Sequence, residues 1–284
     1  MNRRQFLQCA GALALTPLVL RAAEAKRKFH LGLVTYNVAA QWDLATIIEN
    51  CRQAGIEGVE FRTTHKHGVE PSLTADERRD VKKRCADGGL AIVSLGSACE
   101  FHAADPAVVK KHIADCAGFV KLAADLGARG VKVRPNGLTK NVPEEKTLAQ
   151  IGAALVECGK IGADHGVEIW LEVHGRDTQE PTRIRTIMDA CPNKNVGICW
   201  NSNAPDVKDG SVKWSFDLLK DRLLSCHIND LNNAKYPYQE LFALMRQHGY
   251  DRFTLCEYGK NIAAAEGAAF LKQYRQRWLE LAGA

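Results

Sequence analysis

A chain of 284 residues, 46% hydrophobic and 25% charged, has the length and apolar content to bury a large core, which excludes a disordered or low-complexity protein. Its formal charge of +5 is small for that length, and basic runs such as Lys82-Lys83-Arg84 are interleaved with acids. No nucleic-acid partner is therefore expected, because such binding needs a continuous basic stripe.

The amino terminus reads as a leader. Arg3-Arg4-Gln5-Phe6-Leu7 precedes an apolar run over residues 9–20 and an Ala23-Glu24-Ala25 end, the charged, apolar and small-residue parts of a secretory signal. The paired arginines resemble a twin-arginine signal. The apolar run falls short of the roughly 20 residues that a membrane span needs. Residues 1–25 are thus expected to be a cleaved signal peptide, with no stable membrane insertion, and residues 26–284 an exported, periplasmic protein. Losing Arg3, Arg4, Arg21 and Glu24 would take the charge from +5 to +3.

From there a strand-and-helix alternation runs to the end of the chain. Short apolar or β-branched runs fall at residues 29–36, 58–61, 91–95, 130–133, 167–173, 196–200, 223–228 and 253–256. Most are continuous rather than alternating, as strands covered on both faces require. Amphipathic segments between them, at residues 44–54, 75–88, 107–126, 144–165 and 238–249, read as helices, several followed by glycine. Eight such units predict a closed α/β structure, a single (β/α)8 TIM barrel. The alternative open doubly wound sheet would carry a glycine-rich phosphate turn, and neither GxGxxG nor GxxxxGK[ST] occurs. Nine cysteines lie beyond the leader without a CxxC, and are expected as small core residues rather than a disulfide framework.

Four polar residues stand where strands five to eight should end: Glu172, Asn201, His227 and Glu257, spaced by 29, 26 and 30 positions. In a parallel barrel that spacing converges them on the face where active sites lie. Two carboxylates, an amide oxygen and an imidazole make a set suited to a divalent metal. For each glutamate a structural ion pair is the alternative, and for His227 a satisfied core histidine.

These strand ends resemble the xylose-isomerase-like sugar phosphate isomerase/epimerase superfamily. The matching stretches are Gly55-Ile56-Glu57-Gly58-Val59-Glu60, Ile169-Trp170-Leu171-Glu172-Val173-His174, His227-Ile228-Asn229-Asp230 and Leu255-Cys256-Glu257-Tyr258. The resemblance implies one divalent ion, with Mn, Mg, Co and Zn left open, held by Glu172, Asn201, His227 and Glu257. The family commonly has Asp-x-x-His where this chain has Asn201-Ser202-Asn203-Ala204. An amide adds no charge, so weaker metal binding is expected.

Around these ligands, Glu60, His65, His67 and His102 are expected on the same rim as binders of polyol hydroxyls. Lys132 and Arg134 are candidates to hold a hydroxyl, carbonyl or anionic group, one of them expected to point outward. His174, two positions beyond Glu172, is a substrate or acid/base candidate. Trp200 and Tyr36 are read as an apolar wall, Asn203 as a further substrate contact and Trp170 as core. Asp230 either orients His227 or caps a helix. The expected function is a metal-dependent isomerase or epimerase of a small carbohydrate or polyol. Glu172 and Glu257 would move a proton beside a carbonyl through an enediolate. A keto-sugar lyase or dehydratase on the same site and a carbohydrate-binding protein without catalysis are the alternatives; the oligomeric state is left open.

Overall fold

A computed structural model describes residues 29–283, so the leader expected over residues 1–25 lies outside the described residues. Eight strands pair in parallel and close on themselves in sequence order: β1 (His30–Val34), β2 (Gly58–Arg62), β3 (Ala91–Glu100), β4 (Gly130–Arg134), β5 (Glu168–Glu172), β6 (Val196–Trp200), β7 (Leu223–Ile228) and β8 (Phe253–Cys256). A helix follows each: α1 (Leu44–Ala54), α2 (Ala75–Asp87), α3 (Pro106–Leu126), α4 (Glu144–Asp164), α5 (Pro181–Asp189), α6 (Lys213–Leu219), α7 (Tyr238–His248) and α8 (Gly267–Leu281). The single (β/α)8 barrel is therefore the fold.

The helices begin where side chains satisfy their first free N–H groups. Asp43 accepts from Thr46 N at 2.9 Å, and Thr74 with Glu77 forms a reciprocal capping box, each worth about 1 kcal/mol. Helices α1, α3 and α7 stop at Gly55, Gly127 and Gly249, whose φ angles of 68°, 79° and 78° suit a residue without a Cβ. Strand β3 runs five residues past its expected end, to Glu100, after register breaks against both neighbours.

Two layers of core result. Val34, Val93, Trp170, Cys199 and Leu255 pack together as a small cluster inside the barrel. Residues of the opposite parity, such as Val59, Phe61, Val131, Val133, Leu171 and Trp200, face the helices in the larger cluster. Trp170 is core, as expected. All nine cysteines of the described residues are buried free thiols. A cavity of about 250 Å³ lined by His30, Ala91, Trp170 and Phe253 opens at the strands' amino ends, the end of a barrel associated with stability. Among the described residues no helix is long and apolar enough to cross a membrane.

Helix α8 fixes the other end of the barrel. Tyr274 donates to the carbonyls of Ile228 at 2.9 Å and Asn229 at 2.6 Å, and Trp278 Nε1 donates to Thr254 Oγ1 at 2.9 Å. The Tyr274 bonds hold the backbone just beyond His227.

Candidate active site

Glu172 ends β5, His227 lies near the end of β7, and Glu257 follows β8, so three βα units deliver one buried cluster. One donor atom from each lies within 4.8 Å of the others. His227 Nδ1 is 3.3 Å from Glu172 Oε1 and 3.4 Å from Glu257 Oε2, yet makes no hydrogen bond among the described residues. Such a buried nitrogen, facing two carboxylate oxygens, fits a cation held between the three.

Glu60 from β2 completes the ring's surroundings. It is wholly buried, accepts from Ser94 Oγ at 2.7 Å, and sits 3.4 Å from His227 Nε2. A register break after Val59 sets Ser94 beside Glu60. Gly96 leaves the room, since a Cβ there would come within 2.8 Å of Glu60 Oε1. A hydrogen on Nε2 directed at Glu60 leaves the Nδ1 lone pair facing Glu172 and Glu257, the arrangement in which an outer carboxylate orients a metal-binding histidine.

Lys132 balances part of this charge. Its Nζ lies 2.7 Å from Glu172 Oε2, with both side chains at most 4% exposed. Burial opposes ionisation of Glu172, but Lys132 and His227 outweigh it and hold its carboxyl well below the usual range. Burial likewise opposes charge on Lys132, and Glu172, Glu60 and Glu257 together raise it. For His227 burial is again opposed, by Cys199, Glu257 and Glu60, and the imidazole titrates well above its ordinary value. Three buried carboxylates form a cage facing the Lys132 ammonium and the His227 imidazolium, and a dication bound at Nδ1 would take the place of that imidazolium's proton.

Asn201 reaches the cage, but as oriented it gives Nδ2 to Glu172 Oε1 at 3.1 Å and turns Oδ1 to Asn229 Nδ2 at 3.4 Å. Its amide oxygen is thus engaged away from the expected metal position. Lys132 and Arg134 share the inner face of β4, correcting the expectation that one points outward: they are two residues apart, and in a strand that means one side. Val131 and Val133 take the outer face. Arg134 pairs with Glu100 at 2.5 Å, while its Nε is buried without a hydrogen-bond partner, as are His102 Nδ1 and His174 Nδ1.

Several expected substrate contacts are otherwise engaged. Trp200 has the outward parity, packs on Phe216 at 6.0 Å and donates to Tyr236 OH at 2.9 Å, so it is no wall of the barrel mouth. His67 accepts from Val69 N at 3.0 Å and gives its other nitrogen to Arg62 O at 3.0 Å; burial pulls it down to about 4. Asn203 uses its amide on Val173 O at 2.5 Å and holds the loop. Asp230 accepts from Asn232 N at 3.0 Å, which makes it a turn residue, and Glu60 faces the histidine in its place. His65 stacks on Tyr36 at 6.2 Å, and Tyr36 is 43% exposed at the mouth.

Two features lay outside the sequence reading. Arg62, at the end of β2, is on the inner face with Glu60, 5.8 Å from the Tyr36 ring. Asp206, 1% exposed, accepts from Asn203 N at 2.8 Å and Tyr236 OH at 2.9 Å, and burial pushes its carboxyl up to about 8 from 3.8. A carboxyl raised on folding binds more protons in the folded than in the unfolded chain between those values. Stability is therefore expected to fall as pH rises from about 4 to about 8. Asp206→Asn should flatten that slope of Tm against pH; an unchanged slope would assign the pH dependence elsewhere.

A family model described as the xylose isomerase-like TIM barrel matches residues 48–274, more than half of the chain. No curated protein gives a significant match. Among solved structures, 3-keto-D-glucoside 4-epimerase from E. coli is 15% identical with a TM-score of 0.72, over 89% of this chain and 99% of that one. D-Psicose 3-epimerase crystallised with D-fructose is 12% identical with a TM-score of 0.74, over 90% and 100%. The IOLI protein with a zinc atom is 15% identical with a TM-score of 0.72, over 89% and 98%. At these identities the likeness is one of fold.

Proposed function

The chain belongs to the xylose isomerase-like TIM barrel family, and from that premise we propose a metal-dependent isomerase or epimerase that moves a proton beside the carbonyl of a small sugar or polyol. The observation that carries this reading is the buried Glu172–His227–Glu257 cluster at the active end of the barrel. A divalent ion bound there would supply Lewis acidity toward a carbonyl and its neighbouring hydroxyl. The structural likeness to sugar epimerases supports the same class.

The two glutamates have different surroundings. Glu172 is held by the Lys132 ammonium at 2.7 Å, a contact that fixes its orientation. Glu257 has an ionic contact only with His227 among the described residues, and at 9% exposure it is the more open of the two. Glu257 is therefore assigned to take the proton from carbon and to return one, while Glu172 stays ionised beside Lys132. Charge developing on the substrate oxygens is met by Lys132, whose Nζ also faces Glu60 and Glu257 electrostatically. Loss of a β-hydroxyl from the same intermediate, the lyase alternative, is favoured by His174. Its Nδ1 lacks a partner, and it shares the inner face with Glu172, so it is placed to protonate a leaving group.

Incubating ketoses in deuterated water tests the proposal. The expected result is deuterium at the carbon next to the carbonyl, because a side-chain base exchanges its proton with solvent. A conjugated product would identify elimination instead. Turnover without solvent label and without elimination would refute proton transfer through Glu257.

A further inference from the structure

The cations of the barrel mouth do not pair off evenly. Lys132 is bonded to Glu172 and Arg134 to Glu100. Among the described residues Arg62 has no carboxylate partner, and its one side-chain hydrogen bond runs from NH1 to Thr63 O at 2.8 Å. The Tyr36 ring 5.8 Å from its guanidinium carbon helps to set its plane.

The register places this arginine in one row with Lys132. Arg62 pairs with Gly96, and Gly96 pairs with Lys132, so the three form one row across β2, β3 and β4. The middle position has no side chain, and a Cβ there would lie 3.3 Å from Arg62 Cδ. Neighbouring strands are about 4.8 Å apart, so Arg62 and Lys132 stem from positions about two strand spacings apart, and the Glu60 carboxylate and the Arg62 stem fill the space over Gly96. The Arg134 Nε, buried without a partner, comes from the next inner position of β4.

Charge counting selects the ligand. Arg62, Lys132 and Arg134 oppose Glu60, Glu100, Glu172 and Glu257. With a dication in the cage, five positive charges meet four negative ones, and one positive charge is left over. Burial and the neighbouring Arg134 both disfavour the charge on Arg62, so a counter-anion would be welcome there. A neutral sugar leaves that excess unmet, and a phosphate dianion overshoots it. A guanidinium fork also matches the plane and spacing of a carboxylate.

We infer that the substrate is a sugar acid, its carboxylate received by Arg62 and Arg134 on the β2–β4 side while its carbonyl end faces the Glu172–His227–Glu257 cage. This rests on the proposed function for the position of the carbonyl; the carboxylate subsite rests on Arg62, the unpartnered Arg134 Nε and the charge count.

Calorimetric titration of the chelator-stripped and the Mn-loaded protein with D-glucuronate, D-glucose and D-glucose 6-phosphate tests it. D-Glucuronate is expected to bind about tenfold tighter than D-glucose, as a charge-assisted bidentate contact allows, with the preference shrinking at high salt. Arg62→Gln should bring the ratio close to one, and Arg62→Lys should restore part of it. Equal affinity for D-glucose and D-glucuronate, an unchanged ratio in Arg62→Gln, or tightest binding of D-glucose 6-phosphate would each overturn the inference. Solvent deuterium separates the two ideas. Exchange into neutral ketoses without an anion preference rejects the sugar acid alone, whereas glucuronate binding through Arg62 with no exchange by any sugar rejects the proton-transfer reading.

Discussion

Glu257→Gln is expected to lower turnover by about 10²–10⁴-fold, the usual contribution of a general acid or base, and to weaken divalent-metal binding in the same variant. The substitution keeps the side chain's size and removes the charge from one of the three groups, Glu172, His227 and Glu257, that could hold a metal. Because Glu257 retains some exposure, the neutral amide can be hydrated and the barrel should still fold. Calorimetry on chelator-stripped protein measures the affinity, and steady-state kinetics the turnover. Metal binding as tight as in the unaltered protein would remove Glu257 from the site. Asn201→Asp supplies the opposite sign: a fourth carboxylate beside Glu172 should tighten the metal by adding charge.

Lys132→Met is expected to destabilise the fold by about 3–5 kcal/mol, the cost of stranding one member of a buried ion pair. The Lys132 and Glu172 side chains are 4% and 2% exposed, so little water is available to take over the ammonium's role. Glu60 loses part of its counter-charge at the same time. Adding Glu172→Gln should recover a large part of the loss, since the orphaned charge is then gone. Denaturant melts of the two single variants and the double one read this coupling directly. Additive losses would show that the pair is not the source of the effect.

Much of this architecture was legible before any coordinates, because a strand buried on both faces has to be written in apolar residues. The expected ends of β6, β7 and β8 coincide with the observed ones, and the polar residue that interrupts each run marks where the barrel opens. Parity was harder to use. Once Asn201 is placed inward, Trp200 has to point outward, and Lys132 and Arg134 have to share a side. The same rule makes Arg62 an inner residue as soon as Glu60 is one, a signal that the strand boundary drawn at residue 61 hid. Loop hydrogen bonds carry no such period. That His67 spends both ring nitrogens on backbone, that Asn203 closes a turn, and that Asp206 lies beneath Tyr236 depend on chain geometry outside the strands. The helices α5, α6 and α8 were implied by the repeat, but their bounds follow from packing.

The sealed thiols turn the molecule into its own clock. Each of the nine cysteines is at most 3% exposed, so an alkylating reagent reaches one only after the surrounding structure parts. Cys51, Cys85, Cys116 and Cys158 ride on α1 to α4, one per helix, whereas Cys199 and Cys226 belong to β6 and β7 and Cys256 ends β8. Labelling in the folded state, read peptide by peptide, therefore separates the lifting of the outer helices from the unzipping of the barrel staves. Residues that react together mark the segments that come away as one.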